Sequence, residues 1–245
     1  MMSAKERAMD FRDRHLVITG GAGALGTALV EALVHAGAVC HVPCIDEAEA
    51  RRFRLREHKH VVLSVTGSLT DEKTVAGLYA SVTPLWASIH LAGGFAAAPL
   101  RNTDTATLRQ QIDMNLVSCL LCCRAAVSAM MRQPAGGGSG GRIVNVAARP
   151  GLEWRSGAGM AAYAASKAAV AALTVALAEE VAKDDILVNA VAPSIMDTPA
   201  NRSAMPKADY SLWPKVEEVA ATILFLASPE NRVTRGAIVP VYGKS

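Results

Sequence analysis

The sequence predicts an α/β fold, a doubly wound parallel sheet of about seven strands with helices on both faces. Three observations predict it. Short apolar runs alternate with helically periodic segments along all 245 residues. The segments between runs are long enough for right-handed crossovers, which stack parallel strands into one sheet. The first run, Leu16 to Ile18, ends on a glycine-rich turn that opens an apolar helix. That context aims free backbone N–H groups at an anion.

The elements follow in order. Residues 1–14 are polar and charged and read as a leader before a single domain, 15–245. In the turn, Gly20 allows a sharp bend, Gly23 lets a diphosphate approach the backbone, and Gly26 lets helix pack on strand. The helix 27–36 carries Leu29, Val30, Leu33 and Val34 on one side. Strands are expected at 38–42, 61–65, 85–91, 142–147, 186–192 and 237–241. Helices are expected at 46–57, 71–82, 104–131, 159–183 and 215–227. Residues 134–141, with five glycines, read as a flexible surface loop. The irregular stretch 193–214 reads as a lid or substrate loop, because structureless loops of that length in a compact domain are usually functional.

Composition narrows the function. Apolar residues make up 51% and aromatics 4%, so the core is aliphatic. A formal charge of +3 is too balanced to argue for nucleic acid or a membrane surface. The basic stretch 51–60 reads as the solvated face of a helix. The N-terminus does not resemble a signal peptide, and no apolar run approaches the roughly 20 residues that span a bilayer. Five cysteines fit no disulfide framework, and a reducing cytoplasm is expected. No metal site is expected. Cys119, Cys122 and Cys123 fall in an apolar helical pattern that no His or second Cys pair complements, so they read as buried thiols. Cys40, His41 and Cys44 read the same way.

Tyr163 and Lys167 lie four apart on an alanine-rich helix and share one face. A cation near the phenol is expected to lower its pKa from about 10 and fit it for proton transfer.

These motifs, with Ala92-Gly93-Gly94, Asn115, Gly141-Arg142-Ile143-Val144-Asn145-Val146 and Val188-Asn189-Ala190-Val191-Ala192-Pro193, resemble the short-chain dehydrogenase/reductase family from about Leu16 to Tyr242. The resemblance implies a Rossmann-type, NAD(P)-dependent oxidoreductase of small molecules, dimeric or tetrameric. It implies Tyr163 as acid/base, Lys167 as its tuner and ribose ligand, and Asn115 as holder of a relay water. It places the cofactor against Gly20, Gly23, Ala24, Leu25, Gly26, Cys44, Ala92, Gly93, Gly94, Pro193 and Ile195, and its carboxamide against Thr198. The long apolar stretches 116–123 and 168–178 also favour a homo-oligomer.

One position departs from the family pattern. The serine expected after the fifth strand is Ala148, whose methyl cannot donate to an oxyanion. Ser156 is too far along to replace it. The chain further resembles the dihydropteridine reductase branch in Gly20-Gly21-Ala22-Gly23-Ala24-Leu25-Gly26, in Ala92-Gly93-Gly94-Phe95, and in the loop holding Asp197, Thr198, Arg202, Met205, Asp209 and Trp213. That implies an activated acceptor, a carbonyl or quinonoid pterin. The alternative is a dinucleotide-binding sensor or assembly protein that lost its chemistry with the serine. At the adenosine ribose, Cys44 selects neither cofactor; Asp46 either reaches the ribose, favouring NAD over NADP, or caps a helix. Ala148, Arg149, Asp197 and Trp213 are the substrate-side candidates, with Trp154 a further flat surface. His90 reads as buried structure.

Overall fold

The computed structural model describes residues 9–133 and 140–245. Seven strands form one sheet: β1 (His15–Thr19), β2 (Val39–Cys44), β3 (Val61–Val65), β4 (Leu85–His90), β5 (Gly141–Val146), β6 (Ile186–Pro193) and β7 (Ile238–Val241). Their order is β3-β2-β1-β4-β5-β6-β7, and every neighbouring pair is parallel. The winding reverses between β1 and β4, the place where such sheets bind ligands beyond their carboxyl ends.

The helices are α1 (Ala24–His35), α2 (Glu47–Arg52), α3 (Glu72–Ala80), α4 (Thr105–Ile112), α5 (Ser118–Met131), α6 (Arg149–Leu152), α7 (Ala161–Glu180), α8 (Pro199–Ala204) and α9 (Val216–Ala227). Side chains alternate across each strand, so β1 feeds two cores. Leu16 and Ile18 pack with Leu29, Val30 and Leu33 of α1 and with Val219 and Ile223 of α9. Val17 faces the other way, with Val75 of α3, Cys122 of α5 and Val170 of α7.

Several boundaries differ from the sequence expectations, each for a local reason. β2 runs on through Pro43 to Cys44, beyond its last pairing with β1 at Val17↔His41, because β3 stays paired with it as far as Cys44↔Val65. α2 stops at Arg52, because Phe53 takes an extended backbone and drops into the core. The helix expected over 104–131 is interrupted by a π-helical turn, Asp113–Val117, that carries Asn115. The 193–214 stretch is not structureless. Thr198 caps α8, accepting from the Asn201 N–H at 3.2 Å, and Pro199 follows at the first helical position.

Residues 1–8 and 134–139 lie outside the described residues, so most of the expected leader and glycine loop do too. Phe11 is fully buried, and its N–H donates to the Ala36 carbonyl at 3.0 Å. The stretch just before β1 therefore belongs to the core. Contrary to the sequence expectation, two helical segments, Thr105–Met131 and Ala161–Glu180, are long and apolar enough to cross a membrane by length and composition. Both pack one face against the sheet through the second core.

Candidate active site

The carboxyl ends of β1, β4, β5 and β6 converge on one cavity of about 320 Å³. Its diphosphate end is built from backbone. Gly20 has φ +66°, and a Cβ there would come within 2.7 Å of the Ala92 nitrogen. A Cβ on Gly26 would drive into the Gly20 carbonyl and come within 2.5 Å of the Gly21 Cα. The turn can close only on glycine at both places. Gly23 precedes α1 with no side-chain cap, and the first turn holds no acidic residue. The free N–H groups and helix dipole there face the cavity uncompensated, as an anion site requires. This cradle fits a dinucleotide diphosphate: Gly20, Gly23, Ala24, Leu25 and Gly26 would hold it.

The opposite wall carries the polar chemistry. Tyr163 and Lys167, one turn apart on α7, line the cavity with Gly93, Gly94, Ala148 and Pro193. Phe95 stands edge-on to the Tyr163 ring, with centroids 4.9 Å apart. Lys167 is buried, and its Nζ donates to the Val146 carbonyl at 2.8 Å. Burial lowers its pKa to about 8. Burial pushes the Tyr163 phenol up to about 12. The expected lowering of Tyr163 is thus reversed: the ammonium is spent on a backbone carbonyl, and desolvation of the phenolate dominates.

Asn115 is held in a network of its own. Its Oδ1 accepts from the Gly94 N–H at 3.0 Å, and its Nδ2 donates to the Gly94 carbonyl and to Ser166 Oγ, both at 3.0 Å. With every polar atom engaged and the side chain buried, Asn115 clamps the β4 loop to α7. The π-helical turn supplies that reach, as such turns often do at functional sites.

Other expected contacts fall elsewhere. Ala92 gives its N–H to Thr19 Oγ1 at 3.2 Å and braces the turn without lining the cavity. Cys44 is buried, its thiol pushed up to about 11 by burial and the nearby Glu49 and Asp46 carboxylates. Asp46 caps α2, accepting from the Glu49 N–H at 2.7 Å, while Glu49 accepts from the Ile45 N–H at 2.7 Å. Ile195 points to solvent, and Thr198 is taken up by its cap. Neither lines the cavity; Ser194 and Met196 do instead.

The substrate-side set divides. Ala148 lines the cavity, but Arg149 bonds Glu153 at 2.7 Å beside it. Asp197 makes a two-pronged bond to Arg202 at 2.6 and 2.8 Å. Asp197 and Trp213 line a separate cavity with Tyr210 and Lys215. Trp154 is 77% exposed against another hollow. Ser156 bonds the Glu153 carbonyl and cannot replace the missing hydroxyl. Leu91, Phe95, Val146, Ala147, Ser194 and Met196 also line the cavity, though the sequence reading assigned none of them a site role. Each is adjacent to a motif residue, and that adjacency was the available signal.

A parallel sheet with a glycine cradle at its switch point and a Tyr–Lys pair opposite defines a dinucleotide-dependent α/β oxidoreductase. Residues 14–209 match the family described as short chain dehydrogenase. The chain is 34% identical to cis-4-hydroxycyclohexanecarboxylate dehydrogenase of Sinomonas cyclohexanicum, covering 95% of this chain and 96% of that one. It is 29% identical to 2,3-dihydroxy-2,3-dihydro-p-cumate dehydrogenase of Pseudomonas putida, over 100% and 99% of the two chains. A solved structure of a tyrosine-to-phenylalanine variant of ElxO with NADPH bound superposes with TM-score 0.82 at 22% identity, over 94% of this chain and 97% of that one. The chain belongs to the short-chain dehydrogenase/reductase family and is an NAD(P)-dependent oxidoreductase.

Proposed function

We propose that this oxidoreductase works chiefly in the reductive direction. Its substrate is an activated small-molecule acceptor, a carbonyl or a quinonoid ring such as a quinonoid pterin, and Tyr163 is the proton donor. The observation that carries the reading is the cavity itself, where Tyr163 and Lys167 face the glycine cradle and Ala148 stands where a hydroxyl donor is missing. When bound, the nicotinamide supplies or accepts the hydride.

Tyr163, with its pKa at about 12, is protonated at neutral pH. That is the form able to give a proton to an oxygen as it gains electrons. Lys167 is charged at neutral pH and lines the cavity, where it would hold a ribose hydroxyl of the bound cofactor. Ala148 gives no hydrogen bond to the developing oxyanion. The loss of one such donor is worth about 3 kcal/mol, so an acceptor that needs little help is favoured.

NADH is the favoured reductant. Asp46 and Glu49 are fixed beyond β2, where their negative charge would oppose the added phosphate of NADPH. The protein works as a homo-oligomer, a dimer or tetramer, in the cytoplasm. Exposed Leu120 of α5 and Val175 of α7, and five buried free thiols, support those two readings.

The test is a fluorescence titration of wild type and Tyr163→Phe with NADH and NADPH, followed by turnover on quinones, ketones and quinonoid dihydropterin. The variant should bind NADH as wild type does and lose turnover by two or more orders of magnitude. Full activity in the variant would remove Tyr163 from the reaction. Tight NADH binding without turnover of any acceptor would favour the sensor reading. The retained Tyr163 and Lys167 speak against that reading.

A further inference from the structure

Behind the catalytic cavity lies a second cluster that the reaction does not use. His90 ends β4, and Cys119 and Cys123 lie one turn apart on α5. One ligand atom from each lies within 4.8 Å of the other two, and all three side chains are buried. The His that the sequence could not supply to these thiols comes from 29 residues upstream.

The separations from the imidazole to the two sulfurs are close to those around a bound cation. His90 Nδ1 lies 3.5 Å from Cys123 Sγ and 4.0 Å from Cys119 Sγ. Around tetrahedral zinc, with Zn–S about 2.3 Å and Zn–N about 2.0–2.1 Å, the N···S edge is about 3.5 Å. A fourth corner is present. Asn145 Oδ1 lies 3.3 Å from Cys119 Sγ and 3.5 Å from Cys123 Sγ. Asn145 Nδ2 donates to Thr174 Oγ1 at 2.9 Å, which turns the amide oxygen into the cluster.

His90 Nδ1 lies 2.8 Å from Asn145 Oδ1, so one carbonyl oxygen with two lone pairs faces an imidazole N–H and two thiols.

We propose that His90, Cys119 and Cys123 bind one thiophilic divalent cation, zinc, with Asn145 Oδ1 completing the tetrahedron. Binding forms two S–metal bonds, an N–metal bond and an O–metal bond, and the two thiol protons leave to solvent. Two thiolates then cancel the dication, so the buried complex is neutral. His90 coordinates through Nδ1, which moves its proton to Nε2. Ser88 Oγ, 2.8 Å from Nε2 and 2.6 Å from the Tyr79 hydroxyl, accepts it. Such an outer partner is what a metal-bound imidazole normally has. The short His90–Asn145 approach opens by about 0.6 Å to reach a tetrahedral edge.

The site is structural, since no coordination position reaches the cavity. It ties the end of β4, which continues into Gly93 and Gly94, to β5, whose Val146 carbonyl holds Lys167. Its loading accompanies folding, because the ligands are sealed in the folded chain.

The test is metal content. The full chain, grown with added zinc and passed over chelating resin, should hold about one zinc per chain by mass spectrometry. Refolding with Co²⁺ should give the intense near-ultraviolet thiolate-to-cobalt band and the strong visible bands of a tetrahedral site. Cys119→Ala with Cys123→Ala should lower bound metal at least about tenfold, while Cys122→Ala keeps it. If the double variant fails to fold, the wild-type cobalt spectrum decides. Folded wild type with under about a tenth of an equivalent of metal and no thiolate–cobalt band overturns the proposal and leaves packed free thiols. So does a double variant that keeps both metal and band.

Discussion

Ala148→Ser is the sharpest probe of the missing donor. Ala148 lines the cavity with Tyr163 and precedes α6 with φ −161° and ψ 159°, extended backbone that serine adopts without strain. Serine at a helix N-cap usually adds about 0.5–2 kcal/mol by accepting a free N–H. Here Pro150, early in α6, has no N–H to give, and the Gly151 N–H already donates to the Ala148 carbonyl at 2.9 Å. The cap gain should therefore be only a few tenths of a kcal/mol, about 1 °C or less in Tm for a domain this size. The hydroxyl is left to face the cavity. One donor to a developing oxyanion is worth about 3 kcal/mol, or a hundredfold. Steady-state kinetics with NADH should show kcat/KM rising up to about a hundredfold on an unactivated cyclic ketone. It should rise by less than about threefold on a quinonoid acceptor, whose reduction needs little oxyanion help. Equal gains on both, or none on the ketone with NADH affinity intact, would refute the role given to this position.

Four further outcomes follow from the same geometry. Gly26→Ala should cost more than about 2 kcal/mol in urea denaturation and abolish NADH binding, since its Cβ meets backbone that cannot move aside. Asn115→Ala should cost about 1–3 kcal/mol by the same assay, because it orphans both polar groups of Gly94. For pH, Lys167 carries its charge below about 8 and loses it above. Reductive kcat/KM should be level at neutral pH and fall as pH rises through 8; a profile flat to pH 10 would remove the charge from the mechanism. Trp213→Ala should lower Tm by disturbing its packing on Tyr210 at 5.0 Å, yet leave the Kd for NADH within about twofold by fluorescence titration, since Trp213 lies outside the cradle's cavity.

Much of the reactive cavity was legible in one dimension. Tyr163 and Lys167 share a helix face because four residues make about one turn, and the structure places both on the cavity. Ala148 was found because the family resemblance places a serine just after the fifth strand, and it also lines the cavity. Asp197 and Trp213 were placed with it only by their shared loop. In space that loop folds on itself, through the Asp197–Arg202 bond and the Tyr210–Trp213 stack, and turns them to another hollow.

The chain's linear pattern by itself determined the seven parallel strands, their alternation with helices and the glycine cradle. Those depend on periodicity and on which residues can take a positive φ, both local properties. Only the tertiary structure decided the direction of the Tyr163 shift, the clamp made by Asn115 and the meeting of His90 with Cys119 and Cys123. Desolvation and ligand convergence act through space, between atoms that chain order leaves far apart.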